Sequence, residues 1–207
     1  MLFAIMLHEI RKGGNLLRVL LFTPTVISSM AMHQTFRQLL RVNPDGVVNA
    51  LLNAVGLEQL RMVWLSDPII TIYVVAIVDS FRFSGLYMVI FYAAFAAIDT
   101  EILEAAMIDG ASKLQTLILV RLPMIRAIIV NCMILVAIGT FRAFDGPMIL
   151  TGGGPARASE VISTYMFKTA FVELNYGYAS AIGILMLLIA VVTYTLISRL
   201  TREKELR

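Results

Sequence analysis

Charge is scarce in this chain. Of 207 residues, 17 are Lys or Arg and 14 are Asp or Glu, 15% in all, against 59% hydrophobic. A soluble domain carries about 25% charged residues to cover its surface, so that class is excluded and the apolar excess must face lipid. Cysteine is reduced to Cys132, which lies inside an apolar run. No internal disulfide is available, and the thiol reads as a small buried apolar group. The only histidines are His8 and His33, and no carboxylate cluster lies near either in sequence. There is no serine–glycine elbow and no acidic metal motif, so no catalytic residue and no metal site are expected. The stretch Leu150-Thr151-Gly152-Gly153-Gly154-Pro155 has three successive glycines but no following Gly-Lys-Ser/Thr, which removes the phosphate-loop reading. The net charge of +3 is too small to suggest nucleic acid. A signal peptide is not expected either: the chain has no basic start and no small-residue cleavage site before Arg11-Lys12.

Long apolar runs are what remains. Residues 1–10 are apolar but about half the roughly 20 residues a spanning helix needs, and they read as the end of a helix that begins elsewhere. Asn15 to about Gln34 is the first complete span, with Pro24 inside it. Residues 35–67 are polar and turn-rich, Asn43-Pro44-Asp45-Gly46 being the clearest turn. Val47 to Leu60 is expected to be a short interfacial helix, and Trp64 an interface anchor. Asp67 to about Ile98 would reach about 46 Å as a helix, longer than a hydrocarbon core of about 30 Å. Met124 to about Phe144 and Ala179 to Leu200 complete the set. The fold expected is all-α, a polytopic integral membrane protein with four complete spans and one N-terminal partial span.

The densest group of charges and turn signals lies between two of these runs, at 99–126. Asp99 and Thr100 can cap a helix, with Glu101 and Glu104 in its first turns, where the helix dipole favours negative charge. Ile102, Leu103, Ala106 and Met107 form an apolar face. Asp109-Gly110 should stop this helix, since glycine adopts the left-handed conformation that ends one. Ser112 with Gln115 makes a capping box for a second helix, lined by Leu114, Leu117 and Ile118. Leu122-Pro123 should end it, because the residue before proline is pushed out of the helical region.

Three pieces of this segment, Glu104-Ala105-Ala106, Asp109-Gly110-Ala111-Ser112 and Leu122-Pro123, resemble the EAA loop of the permease subunits of binding-protein-dependent ABC importers. An aromatic usual near Leu117 is absent, and Ala127 stands where a proline is common. Residues 144–171, with Tyr176-Gly177-Tyr178-Ala179-Ser180-Ala181, resemble the segment before and into the last span of the carbohydrate branch, the maltose and glycerol-phosphate type permeases. The resemblance implies the ABC-importer permease (MetI-like) fold, one transmembrane domain over residues 1–207, and a cytoplasmic coupling loop at 99–126. It also implies that the first span and most of the second have no counterpart here, so an N-terminally shortened chain is expected.

The implied role is the membrane-spanning subunit of a carbohydrate importer in the bacterial inner membrane, multi-pass, with its C-terminus cytoplasmic. Implied partners are ABC ATPase subunits that bind ATP and Mg, a second permease subunit, an extracytoplasmic sugar-binding protein and membrane lipid. No cofactor is expected on this chain and no nucleic acid. The charge distribution agrees with this orientation. Arg11, Lys12, Arg18, Lys113, Arg121, Arg126, Arg199, Arg202, Lys204 and Arg207 would lie inside, ten in all, against five outside, Arg37, Arg41, Arg61, Arg157 and Lys168. That is the positive-inside bias.

Candidates for the substrate pathway are the intramembrane charges and their aromatic neighbours: Asp79, Arg82 and Phe81, then Phe141, Arg142, Phe144 and Asp145. Asp79–Arg82 and Arg142–Asp145 are each three residues apart and so share a helix face. Each pair reads either as sugar-contacting or as a structural ion pair. A secondary transporter or channel would use the same intramembrane charges, but has no ATPase to dock on an EAA-like loop.

Overall fold

The computed structural model describes residues 1–9 and 14–202, and every regular element among them is helical. In chain order these are α1 (Leu2–Glu9), α2 (Gly14–Val26), α3 (Ser29–Leu39), α4 (Val47–Ala54), α5 (Thr71–Ala96), α6 (Thr100–Ile108), α7 (Lys113–Gln115), a π-helical segment (Thr116–Arg121), α8 (Leu122–Met124), α9 (Arg126–Phe141), α10 (Asp145–Thr151), α11 (Ile162–Phe171) and α12 (Tyr176–Arg202). Two helices are alone long and apolar enough to cross a membrane, Thr71–Ala96 and Tyr176–Arg199. Two broken pairs pass the same test together, α2 with α3 and residues 113–124 with α9, giving up to four spans.

The expected first span is therefore not one helix. Pro24 sits inside α2, and the helix ends two residues later. Ser28 is extended (φ −50°, ψ 134°) before α3 starts. Proline removes the N–H that would bond the carbonyl of Leu20, and the β-branched Thr25, Val26 and Ile27 lose side-chain freedom in a helix, so nothing carries the helix past this point. Val47 to Leu60 is also shorter than expected. α4 stops at Ala54, Gly56 takes a positive φ of 75°, and only a single 3₁₀ turn, Glu58–Leu60, follows.

The chain divides into two compact units. The first comprises Met1–Thr25, Phe83–Ala137 and the stretch from Tyr194. Its core is a stripe on α5, Met88, Phe91 and Phe95, recurring every three or four residues, extended by Ile98 just past the helix end and packed with Ala4, Leu7, Ile125 and Cys132. Cys132 is buried, as its setting in the sequence suggested. Gly85 lets α2 approach α5: a Cβ there would lie 2.5 Å from the Leu21 carbonyl oxygen and 2.7 Å from Phe22 Cα. The Arg18 guanidinium donates to the Tyr92 hydroxyl and lies 3.8 Å over the ring centroid. A cation in an apolar setting is held this way without a counter-charge.

The second unit comprises Val26–Arg82 and Ile138–Thr193. Val75 and Val78 of α5, Leu40 and Leu150 form its core, with Phe36 and Trp64 packed against it. The Trp64 indole N–H donates to Asn49 Oδ1 at 3.0 Å, and Asn49 Nδ2 donates to the Met62 carbonyl at 3.2 Å. Phe144 does not end a span in open loop: α10 starts at the next residue and runs through Thr151, so Leu150 and Thr151 are helical. Gly152 and Gly153 then take positive φ (62° and 85°), which ends the helix. The following loop is ordered by Ser159, which is fully buried. Its hydroxyl donates to the Gly154 carbonyl at 2.7 Å and lies 2.6 Å from Thr151 Oγ1.

Candidate functional site

The segment 99–126 folds largely as its capping signals dictate. Asp99 is the N-cap of α6, its carboxylate accepting from Glu101 N at 3.1 Å. Gly110 has φ +84°, and a Cβ there would meet nothing within 4 Å. The turn thus demands the backbone conformation rather than the space of glycine. Ser112 caps α7: its Oγ accepts from Gln115 N at 3.4 Å, while Gln115 Oε1 accepts from Ser112 N at 2.8 Å.

Leu122-Pro123 does not end the second helix, contrary to expectation. Leu122 keeps helical angles (φ −66°, ψ −42°), and the break comes at Ile125 (φ −94°, ψ 12°), where the chain bends by 68° into α9. The π-helical segment supplies the reason. In an α-helix the ring of Pro123 would meet the carbonyl of Leu119 and leave it without a donor. A widened turn bonds each carbonyl one residue further along, which removes that conflict.

The segment is two-sided. Leu103, Leu117 and Leu122 pack onto the core of the first unit. Ile102, Met107, Ile108, Leu114, Ile118 and Leu119 are exposed, so the faces read from spacing turn only partly inward. Glu104, Ala105, Asp109, Gly110 and Ser112 are exposed; Ala106, Ala111 and Leu122 are half-buried, and Pro123 is exposed.

Asp79 has a partner that its sequence neighbours did not suggest. His33 Nε2 lies 2.9 Å from Asp79 Oδ1, and His33 Nδ1 lies 2.7 Å from the Ser29 carbonyl oxygen. The imidazole is fully buried and the Asp79 side chain is 25% exposed. A carbonyl can only accept, so Nδ1 carries a hydrogen. The Nε2–Oδ1 contact then holds a second proton, on the ring or on the carboxyl. Gly146 of α10 closes the site from a third helix: a Cβ there would lie 2.6 Å from Asp79 Oδ2. Phe81 stacks edge-on against Phe36 with centroids 5.7 Å apart.

Arg142 and Asp145 are not an ion pair: none of those among the described residues joins them. α9 ends at Phe141 and α10 begins at Asp145, so the two no longer share one helix face. Asp145 instead occupies the first turn of α10, where the helix dipole favours it. Arg142 and Phe144 line a cavity of about 570 Å³ with Phe167, Phe171, Tyr176 and Ser180. Phe144, Phe167 and Phe171 follow one another at centroid distances of 5.1 and 5.0 Å. The pathway candidates thus fall into two groups, one around α3, α5 and α10, the other around α11 and α12. Beyond the cavity, Lys168 bonds Glu160 at 2.6 Å.

Against known proteins, the sequence matches the family described as binding-protein-dependent transport system inner membrane component over residues 1–205. The chain belongs to this family. Among curated members, the probable ABC transporter permease YurN of Bacillus subtilis is 36% identical over 181 residues, 87% of this chain and 61% of YurN. The chain thus spans about three fifths of that relative's length. The trehalose/maltose transport system permease MalF of Thermococcus litoralis is 30% identical over 205 residues, 97% of this chain and 68% of MalF. A bacterial ABC transporter involved in import of the acidic polysaccharide alginate contains a chain that superposes with a TM-score of 0.87. It is 24% identical, covering 98% of this permease and 71% of that chain. The permease fold inferred from the sequence is therefore the fold observed, with membrane-spanning helices as that family requires. Within this permease the residues that spacing missed are His33 and Gly146. Neither had a local signal: His33 lies 46 residues from Asp79, and a glycine's close approach leaves no trace in periodicity.

Proposed function

We propose that this permease is the membrane-spanning subunit of an ABC importer that carries a carbohydrate across the bacterial inner membrane. It forms half of the translocation pathway, and a second permease subunit forms the other half. Separate ATPase subunits, which bind ATP and Mg themselves, dock on the segment at 99–126 from the cytoplasm, where the C-terminus also lies. An extracytoplasmic binding protein delivers the sugar to the opposite face. Up to four spans and an N-terminal partial span carry the chain between the two sides.

The observation that carries this reading is the two-sidedness of the 99–126 segment. One side is anchored in the core through Leu103, Leu117 and Leu122. The other leaves Ile108 86% and Leu119 69% exposed around a turn that Gly110 and the Ser112 capping box make rigid. An apolar surface that is held rigidly and left open suits a partner protein. When the ATPases close, α6 and α7 would move as a body, and the bend at Ile125 passes the motion to α9. The carbohydrate class is supported by the resemblance of residues 144–181 to sugar permeases, by the trehalose/maltose permease among its relatives and by the alginate importer with the same fold.

Co-expression with the ATPase and second permease tests the reading. Purified together and reconstituted in vesicles, the complex should take up a sugar presented on its binding protein only when ATP is supplied on the ATPase side. Failure of the ATPase to co-purify with the wild-type chain while it co-purifies with the second permease alone would sink the docking role.

A further inference from the structure

Among the described residues, Arg142 is the only charged side chain lining the cavity of about 570 Å³ that α11 and α12 form with the α9–α10 connection. That volume lies within the roughly 300–1,000 Å³ range of ligand pockets. No hydrogen bond or ion pair among the described residues engages its guanidinium, and no carboxylate lines the same wall. The two nearby basic residues are used differently: Lys168 is neutralised by Glu160 at 2.6 Å, and Arg157 lies 3.5 Å from the same carboxylate. The same cavity is lined by the three successive rings of Phe144, Phe167 and Phe171. The faces of such rings are electron-rich and accept the C–H surface of a pyranose.

We propose that this cavity binds an anionic carbohydrate, a uronate or other carboxylated sugar, with its carboxylate on Arg142 and its ring against Phe144 and Phe167. The proposal rests on the reading of the chain as a carbohydrate permease and adds the charge class of the substrate. An arginine fork meets a carboxylate with two parallel N–H···O bonds, a geometry no hydroxyl pair of a neutral sugar reproduces. Arg142 is exposed on the cavity wall, and a cation without a counter-charge there still attracts an anion where a neutral ligand of the same size gains nothing from its charge. The Ser180 hydroxyl donates to the Tyr176 carbonyl at 2.8 Å, so it orients that wall rather than waiting for the sugar.

The test uses the assembled transporter in nanodiscs of phosphatidylcholine, with Cys132→Ser to remove the native thiol and Ala170→Cys as a reporter on the cavity wall. Protection of the reporter thiol from a thiol reagent is measured with tri-galacturonate and with maltotriose. Tri-galacturonate should protect at a concentration about tenfold or more below that of maltotriose, as a charge-assisted pair requires. The difference should vanish in Arg142→Gln and persist in Arg142→Lys, both labelled at the wild-type rate without sugar. Equal protection by the two sugars, unchanged in Arg142→Gln, would overturn the charge selection and leave the carbohydrate reading standing. Protection by added phosphatidylglycerol alone would make the cavity a lipid-headgroup site and overturn the proposal. So would a reporter thiol that reacts in the isolated subunit but not in the assembled transporter, since the second permease then covers it. Absence of uptake of either sugar by the wild-type complex with its binding protein would count against the carbohydrate reading itself.

Discussion

His33 Nε2 and Asp79 Oδ1, on residues 46 apart, form a hydrogen bond of 2.9 Å that ties α3 to α5. The bond from Nδ1 to the Ser29 carbonyl at 2.7 Å sets the ring orientation. Asp79 thus has a role that its position near the middle of a span did not reveal: its carboxylate is committed to a helix-to-helix contact.

That commitment makes Asp79→Asn informative. A neutral His33 keeps its Nδ1–H on Ser29 and presents Nε2 as an acceptor, and an asparagine amide can donate to it. Asp79→Asn should therefore retain the wild-type melting temperature in detergent, whereas Asp79→Leu leaves buried polar groups unpaired, at about 1–3 kcal/mol, and should melt several degrees lower. Equal loss in both variants would show that the contact needs the full charge. If Asp79→Asn melts normally but takes up no sugar, the carboxylate serves the substrate as well.

Gly146 gives a second handle on the same contact. Gly146→Ala places a Cβ 2.6 Å from Asp79 Oδ2, so the carboxylate has to move off its place beside His33 or α10 has to give way. The substitution should lower the melting temperature in the wild-type background and cost much less in Asp79→Ala, where the carboxylate is gone. A coupling of about 0.5–3 kcal/mol between the two sites is expected for residues in contact. Strict additivity would place the approach of α10 elsewhere.

At Gly110 the backbone, not space, is the constraint. A non-glycine residue in the left-handed region costs roughly 1–2 kcal/mol, and asparagine adopts it more readily than a β-branched residue. Gly110→Asn should bind the ATPase and support uptake. Gly110→Val should reach the membrane at normal abundance yet fail to couple ATP hydrolysis to uptake. Normal uptake by Gly110→Val would remove the turn from the coupling role, and a simple fall in its abundance would make the glycine a helix stop only.

Orientation can be checked with single cysteines in a Cys132→Ser background. Lys113→Cys and Arg157→Cys should label from opposite faces of intact cells, the 72% exposed side chain at Arg157 leaving that position open to the reagent. Labelling of both by an impermeant reagent from outside would overturn the proposed topology.

The sequence alone was sufficient for the class, for the long apolar helices α5 and α12 and for the caps and glycine turn within 99–126, but not for the π-helical turn or the bend at Ile125. Asp99, Gly110, and Ser112 with Gln115 act on partners within a few residues, so the forces that form those caps are written in adjacent positions. Contacts made at a distance were decided by the tertiary structure. Apolar periodicity does not distinguish Pro24, tolerated inside α2, from the break that follows it at Ser28. Spacing in one helix paired Arg142 with Asp145, but the new helix start at Asp145 separated them. His33 meets Asp79, and Gly146 meets the same carboxylate, only because α3, α5 and α10 pack together. Packing of that kind depends on shape across three segments far apart in the chain, and no local pattern encodes it.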